Sequence, residues 1–226
     1  MYRAILLDVY GTLVHDDDAP WGQVCAKVAE LAGADPVAVE REWYLRCYRA
    51  ADLAHGARFR TLADLNLSSL VQTAVHFGVR VDAAELCREQ MAFWGSAPLF
   101  PDSLRFLREV GMPVCLVSDA DRGDLAAVLA LHGIVVDGVV TSEDARAYKP
   151  RAEPFELALA HLGLAAREVL HVGDSASSDI AGAQALGIDT AYIDRFGRPR
   201  PEVAPTYVVT SLTDLLPHLR KATTLA

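Results

Sequence analysis

Residues 4–13 read AILLDVYGTL, a short apolar run that is broken first by Asp8 and then by the pair Gly11-Thr12. This pattern predicts a buried strand that ends in a tight loop. Open α/β sheets place their chemistry just beyond the carboxyl ends of the strands. Asp8 is therefore a candidate catalytic carboxylate, although an aspartate at this place could equally be a turn former.

The composition is that of an ordinary globular protein and disfavours several classes of partner. The 226 residues are 52% hydrophobic and 23% charged, with a formal net charge of −9. An acidic chain is a poor partner for nucleic acid, because phosphate backbones require clustered Lys and Arg. The apolar runs are far shorter than a membrane span. No leader sequence is evident, and the four cysteines lack paired spacing, so we expect a cytoplasmic protein with reduced cysteines.

Two different patterns of apolar residues follow the opening stretch. From Trp21 to about Ala97 the apolar residues recur at helical spacing, with breaks that divide the segment into four predicted helices. After Phe100, short apolar strands alternate with helices, which predicts right-handed βαβ units and a parallel sheet. We expect strands at 114–117, 138–141, 169–172, 190–193 and 207–209, and helices at 103–110, 125–131, 155–162, 180–186 and 212–219. The Pro-rich segment 198–201 is predicted to be a surface loop.

The first strand belongs with the later ones, so the helical segment is an insertion after it. We therefore predict an α/β fold with a doubly wound, Rossmann-like parallel-sheet core over residues 1–15 and 98–226. An α-helical cap domain is predicted over residues 16–97.

Polar residues follow four of the predicted strands in order: Asp8, then Ser118-Asp119, then Lys149, then Asp174 with Asp179. Each has a commonplace explanation, such as a surface lysine, a strand-end cap or a helix cap. In a parallel sheet, however, all of them converge on one edge. The ordered set therefore indicates a catalytic site there.

In these motifs the sequence resembles the haloacid dehalogenase (HAD) superfamily, with the helical insertion of its type I cap. The motifs are Asp8-Val9-Tyr10-Gly11-Thr12-Leu13, Ser118-Asp119, Lys149-Pro150 and the segment from Gly173 to Asp179. The resemblance covers essentially the whole core and the position of the cap. It specifies the superfamily and leaves the substrate open.

The resemblance implies a role for each motif residue. Asp8 is the nucleophile and forms an aspartyl intermediate, which divides a hard displacement into two easier ones. Thr12 and Ser118 hydrogen-bond the transferring group. Lys149 holds Asp8 in place and offsets its developing negative charge.

A phosphoryl substrate would also require a metal ion. A dianion must approach the anionic Asp8, and a hard cation together with Lys149 has to neutralise that repulsion. Mg²⁺ prefers oxygen ligands. We expect Asp8, Asp174 and the backbone carbonyl of Tyr10 to ligate it. Asp179 is expected to orient these ligands through water or hydrogen bonds.

The first and the fourth motif favour different chemistries. Phosphatases of the superfamily usually carry a second Asp where this chain has Tyr10, and a phenol with a pKa near 10 is a poor general acid. Tyr10 resembles instead the L-2-haloacid dehalogenases. Those enzymes need no metal, and they typically have Ser, Asn and Tyr where this chain has Asp174, Ala176 and Phe155. Because like charges beside Asp8 are costly without a cation, we weight the acidic residues above Tyr10.

The substrate is expected to be a small anion. Tyr10, Asp119 and Arg46 are the residues predicted to contact it. The cap also carries Arg41, Arg49, Arg58 and Arg60, and any one of these arginines could equally lie on a solvated helix face.

Three functions follow from the sequence. The favoured one is a Mg²⁺-dependent phosphatase of a small organophosphate that works through an aspartyl-phosphate. The alternatives are a metal-free L-2-haloacid dehalogenase that works through an aspartyl ester, and a weakened HAD-fold protein that binds a ligand.

Overall fold

The computed structural model describes residues 2–197 and 201–224, so most of the predicted loop at 198–201 lies outside the described residues. Six parallel strands form one sheet in the order β3-β2-β1-β4-β5-β6. The strands are β1 (Ala4–Leu7), β2 (Val114–Ser118), β3 (Gly138–Thr141), β4 (Val169–Gly173), β5 (Asp189–Ile193) and β6 (Tyr207–Val209). The predicted doubly wound parallel α/β sheet is confirmed.

Alternate residues of the central strand pack into two apolar layers. Ile5 and Leu7 belong to the larger layer, which helices α6 (Ser103–Glu109), α7 (Arg122–His132) and α11 (Leu212–Thr224) cover. Ala4 and Leu6 face the opposite layer under α9 (Ala152–Leu162). A strand covered on both faces must be apolar throughout, which explains the unbroken run that precedes Asp8.

The segment between β1 and α6 contains five described α-helices: α1 (Asp18–Ala32), α2 (Pro36–Leu53), α3 (Leu62–His76), α4 (Ala83–Leu86) and α5 (Arg88–Trp94). Asp35 caps α2 by accepting from the backbone N–H of Val37, and Pro36 occupies the first turn. The fourth predicted helix is divided at Cys87 into α4 and α5. At the centre of these helices Trp43 is fully buried and donates from Nε1 to Ser69 Oγ at 3.0 Å.

One helix begins earlier than its apolar residues predicted. The expected helix at 180–186 starts as a π-helical segment, Ala176–Ala181, and continues as α10 (Gly182–Gln184). Ser175 caps it by accepting from the Ser178 N–H. The remaining short helix, α8 (Ser142–Ala145), precedes α9. Among the described helices, none is both long and apolar enough to cross a bilayer.

The strand order determines where in the fold the candidate site lies. β1 lies between β2 and β4, with Leu7 in register with Leu116 on one side and Val172 on the other. The order reverses direction between β1 and β4, and doubly wound sheets open a crevice at the carboxyl ends of the strands at such a point. Asp8 and Asp174 follow these two strands directly.

Candidate active site

Asp8 is held rigidly at the end of β1. Its backbone N–H donates to the Val172 carbonyl at 2.9 Å, and its Oδ1 accepts from Lys149 Nζ at 2.7 Å. Its second oxygen, Oδ2, is buried and has no hydrogen-bond partner in the part of the chain that the structure describes. A buried, unpaired carboxylate oxygen is unfavourable unless a cation or a reacting group meets it.

Lys149 links Asp8 to the fourth motif. Its Nζ also donates to Asp179 Oδ1 at 2.7 Å, and its backbone N–H donates to Asp119 Oδ1 at 2.9 Å. Burial alone would lower the pKa of Lys149, but the carboxylates of Asp179, Asp8 and Asp119 raise that pKa well above its ordinary value. The lysine is therefore a permanent cation beside Asp8.

Asp8, Asp174 and Asp179 form an acidic cluster. Each offers one carboxylate oxygen, and these three oxygens lie within 4.8 Å of one another. Burial raises the pKa of Asp8, and Asp179 adds to that effect while Lys149 opposes it. Three carboxylates beside one lysine leave an excess of negative charge at the floor of a closed site. The donor set is all oxygen, which fits a hard divalent cation such as Mg²⁺.

Asp179 is the most firmly fixed member of this cluster. Besides Lys149, it accepts from His171 Nε2 at 2.9 Å and from the Ser175 N–H at 3.0 Å. Burial would raise its pKa, but Lys149 and His171 hold that pKa well below its usual range. Asp179 is therefore an anion that is already shared among three donors, which suits a supporting role.

Two glycines allow the cluster to form. Gly11 has φ +82°, and a Cβ built there would lie 2.5 Å from Asp174 Oδ2. A Cβ at Gly173 would lie 2.3 Å from the Asp179 Cγ. Both approaches are closer than any side chain permits, so the motif requires glycine at these positions.

Tyr10 is oriented toward the cap. Its hydroxyl donates to the Trp94 carbonyl at 2.5 Å and so ties the loop after β1 to the end of α5. Burial, with the nearby carboxylates of Asp124 and Asp16, raises the pKa of this phenol above its ordinary value. The hydroxyl thus already donates a hydrogen bond to the Trp94 carbonyl, and it is a weak acid. Both properties are consistent with the expectation that Tyr10 does not replace a general acid.

The other predicted core residues lie around the same floor. Thr12 is fully buried, is absent from the cavity lining and donates to Asp174 Oδ1 at 3.5 Å. Ser118 lines the cavity and accepts from the Ala120 N–H. Asp119 lines it too, and burial raises its pKa to about 6 against the opposing charge of Lys149.

A cavity of about 370 Å³ lies above this floor, and helices of the inserted segment close it. The upper wall is lined by side chains that belong to none of the sequence motifs: Asp16, Asp17, Trp21, Tyr44, Cys47, Leu62, Asn66, Gln90 and Trp94. No periodic pattern marks these residues, because they come from four separate segments.

Arg46 lies elsewhere. It forms an ion pair with Glu42 one turn away on α2 and does not line the cavity. Arg41 borders an adjoining cleft beside α2. Among the described residues, no arginine contributes to the lining of the 370 Å³ cavity.

The Asp121 side chain fixes the inserted helices to the core. Its two carboxylate oxygens accept from the backbone N–H groups of Leu62 and Ala63 at 2.7 and 3.0 Å. These groups are unpaired donors of the first turn of α3, so Asp121 acts as an anchor for that helix from outside it.

The comparisons with known proteins agree with this geometry. The haloacid dehalogenase-like hydrolase family matches residues 2–187. The chain is 29% identical to (S)-2-haloacid dehalogenase 4A of Burkholderia cepacia, over 99% of this chain and 97% of that protein. It is 28% identical to phosphoglycolate phosphatase of Yersinia pseudotuberculosis, with 96% and 93% covered.

The fold is also similar to that of a solved structure. The structure of L-2-haloacid dehalogenase from Xanthobacter autotrophicus superposes with a TM-score of 0.77 at 22% identity, over 98% of this chain and 99% of that one. With the family match spanning residues 2–187 and the motif residues gathered at one sheet edge, the chain belongs to the haloacid dehalogenase-like hydrolases.

Proposed function

We propose that this hydrolase is a Mg²⁺-dependent phosphatase of a small organophosphate, with Asp8 as the nucleophile. The observation that carries the proposal is the acidic cluster of Asp8, Asp174 and Asp179 beside a single buried lysine. Without a cation, the second and third carboxylates would only raise the pKa of Asp8 and weaken it as a nucleophile. A metal-free dehalogenase would not need Asp174 as a metal ligand.

The first step forms a bond from the Asp8 carboxylate to phosphorus and breaks the bond from phosphorus to the ester oxygen. The leaving alkoxide takes a proton from water. Lys149, fixed 2.7 Å from Asp8 Oδ1, keeps the carboxylate aligned and offsets the negative charge that gathers at the reacting centre.

In the second step, water attacks the phosphorus of the aspartyl-phosphate and the bond from phosphorus to Asp8 breaks. Inorganic phosphate leaves, and the Asp8 carboxylate is restored. Because the Tyr10 hydroxyl is engaged by the Trp94 carbonyl, neither step draws a proton from it.

Asp8, Asp174 and the backbone carbonyl of Tyr10 would hold the ion, with Asp179 in support. When bound, Mg²⁺ supplies positive charge that neutralises the phosphoryl oxygens as they approach Asp8. The unpartnered Asp8 Oδ2 is the observation that favours this assignment. We further infer from the four unpaired cysteines a location in a reducing compartment such as the cytoplasm.

A second candidate is a metal-free L-2-haloacid dehalogenase, in which Asp8 would attack the halogen-bearing carbon. Tyr10 favours it, and so does the similarity to haloacid dehalogenases. The lining of the cavity disfavours it, because a haloacid carries a carboxylate and the only basic residue among the described lining residues is Lys149. A HAD-fold protein that only binds a ligand is the third candidate.

Three assays separate these functions. We expect phosphate release from p-nitrophenyl phosphate with Mg²⁺, its loss with EDTA, and recovery when Mg²⁺ is restored. Asp174→Asn should lose the Mg²⁺-dependent rate. Halide release from 2-chloropropionate that is insensitive to EDTA, without phosphatase activity, would overturn the proposal in favour of the dehalogenase. Ligand-induced thermal stabilisation without turnover would favour the binding protein.

A further inference from the structure

The upper part of the cavity has an unusual charge for an enzyme expected to bind an anion. Of the described residues that line the cavity as a whole, eight are aspartates and one is a lysine. The floor accounts for Asp8, Asp119, Asp174 and Asp179, and Asp121 anchors α3. Three acidic residues, Asp16, Asp17 and Asp124, have no part in the chemistry described above.

Asp17 is held in place from the cap side. Its Oδ2 accepts from Gln90 Nε2 at 2.6 Å and from Trp94 Nε1 at 2.8 Å. The backbone N–H of Asp17 in turn donates to Asp16 Oδ1 at 2.9 Å. The contacts to Gln90 and Trp94 fix the Asp17 carboxylate at the wall, and the more exposed Asp16 carboxyl lies next to it.

An independent feature of the same wall is a buried acceptor without a donor. Asn66 lines the cavity and is fully buried. Its Nδ2 donates to Gln90 Oε1 at 3.0 Å, but its Oδ1 has no hydrogen-bond partner among the described residues. A buried amide oxygen of this kind costs free energy until a donor reaches it, so Asn66 is suited to a ligand that carries N–H groups.

Aromatic rings complete the wall. Trp21, Tyr44 and Trp94 line the cavity, and Trp21 is fixed by stacking on Trp43 with ring centroids 3.7 Å apart. Aromatic faces attract organic cations, most strongly where water is displaced. Trp21 and Tyr44 also border the adjoining cleft, together with Glu40 and the acidic run 16–18.

The kind of cation follows from the spacing of the acids. In the part of the chain that the structure describes, the only three metal-ligating side chains close enough to share an ion are Asp8, Asp174 and Asp179. Asp16, Asp17 and Asp124 do not form such a group of three, and aromatic rings line the same wall. Such a wall fits a diffuse organic cation better than a second metal ion.

We propose that the upper part of the cavity binds an alkylammonium group, so that the substrate is a phosphate monoester carrying a protonated amine. Asp16, Asp17 and Asp124 provide the countercharge, Asn66 Oδ1 accepts an N–H, and Trp21 and Tyr44 provide aromatic faces. The proposal rests on the proposed phosphatase function, since it places the phosphoryl group at Asp8. A cavity of about 370 Å³ holds a small molecule of this type.

The test compares three phosphate monoesters on the wild-type enzyme with Mg²⁺: O-phosphoethanolamine, propyl phosphate and phosphoglycolate. Propyl phosphate has nearly the same shape as O-phosphoethanolamine but lacks the positive charge. We expect kcat/KM for O-phosphoethanolamine to exceed that for propyl phosphate by about tenfold or more, with phosphoglycolate the poorest. Equal values, or a preference for phosphoglycolate, would overturn the proposal.

Two variants test whether the preference for O-phosphoethanolamine over propyl phosphate arises in the upper part of the cavity. Asp16→Asn should lower the ratio of kcat/KM for O-phosphoethanolamine over propyl phosphate by about fivefold. Asp52→Asn removes the same charge from the exposed surface of α2, outside the cavity, and should leave that ratio unchanged. A ratio that responds equally to both variants would show only a general effect of charge and would contradict the site.

Binding to the wild-type protein, measured by calorimetry, keeps the two proposals distinguishable. If no ester is hydrolysed, the proposed function fails. In that case tighter binding of O-phosphoethanolamine than of propyl phosphate would still support the ammonium site, and equal binding would refute it.

Discussion

The floor and the upper wall of the cavity are built in different ways. The floor comes from the carboxyl ends of parallel strands, and its charges are paired at 2.7 Å around Lys149. The upper wall comes mainly from the inserted segment, with Asp124 contributed by α7 of the core, and it combines acidic and aromatic side chains with the unpaired acceptor of Asn66. Under the proposed function, the floor would carry out the displacement and the wall would select which substrate reaches it.

The difference also appears in how each part tolerates change. Asp8 and Asp179 are buried and both accept from the buried Lys149, so one substitution among these three disturbs the others. Upper-wall residues such as Asp16 and Tyr44 are more exposed. We therefore expect substitutions in the floor to abolish activity or stability, and substitutions in the wall to change selectivity.

The largest effect is expected at the nucleophile. Asp8→Asn keeps the size of the side chain and one acceptor oxygen for Lys149 but removes its nucleophilic charge. We expect kcat for p-nitrophenyl phosphate to fall by about 10⁴-fold or more, as for the removal of other nucleophiles. Circular dichroism should show an unchanged fold. An Asp8→Asn enzyme with more than a few per cent of the wild-type rate would exclude Asp8 as the nucleophile.

A large loss of stability is expected at Lys149. Lys149→Met leaves the buried Asp8 and Asp179 without their cation, which typically costs about 3–5 kcal/mol of unfolding free energy. The matched control is Lys27→Met, which breaks the exposed pair with Glu30 and should change stability little. Urea unfolding measures both variants. Similar values for the two would show that the floor is less tightly coupled than its distances indicate.

Tyr10 lies where the floor meets the wall. Tyr10→Asp places a carboxyl among Asp16, Asp17 and Asp124, whose charges, together with burial, already raise the pKa of the phenol. The same surroundings should keep the new carboxyl partly protonated, so we expect it to act as a general acid and raise kcat for alkyl phosphates by about 10²-fold.

Tyr10→Phe is the control, since it removes only the hydroxyl that donates to the Trp94 carbonyl. We expect its kcat for p-nitrophenyl phosphate to stay within about threefold of wild type, because that contact contributes to cap position and not to proton transfer. A collapse of kcat in Tyr10→Phe would give the phenol a direct role in catalysis.

The smallest effect is a pH dependence of selectivity. The protein around Asp16 displaces bulk water from its carboxyl although part of the side chain is exposed, and this desolvation, with the adjacent Asp17 carboxylate, raises its pKa to about 7. Asp16 therefore gains its charge as pH rises through about 7, while a substrate amine with a pKa near 10 keeps its own. The ratio of kcat/KM for O-phosphoethanolamine over propyl phosphate should rise about fivefold from about pH 6 to about pH 8.

The ratio cancels the ionisation of the phosphate, which both substrates share. In Asp16→Asn it should be flat with pH. A ratio that falls with rising pH, or the same slope in this variant, would show that Asp16 does not provide the charge.

Much of the floor could be predicted because its signals are local. A buried parallel strand must be apolar on both faces and must end in a loop, so Asp8 and Asp174 mark strand ends by their position alone. The order of the motifs then brought Lys149 and Asp179 into the same predicted site. The structure places these four side chains together, and the predicted sheet is confirmed by its six parallel strands.

The sequence by itself thus determined the α/β core, the helical insertion and the candidate residues at the sheet edge, since each depends on periodicity or on the residues next to a strand. The tertiary structure alone decided the orientation of Tyr10 toward Trp94, the anchoring of α3 by Asp121 and the ion pair that holds Arg46 outside the cavity. It also decided that Asp17, Asn66 and Gln90 share one wall. Their contacts depend on how helices pack on each other and on the core, and packing between distant segments leaves no pattern in the chain.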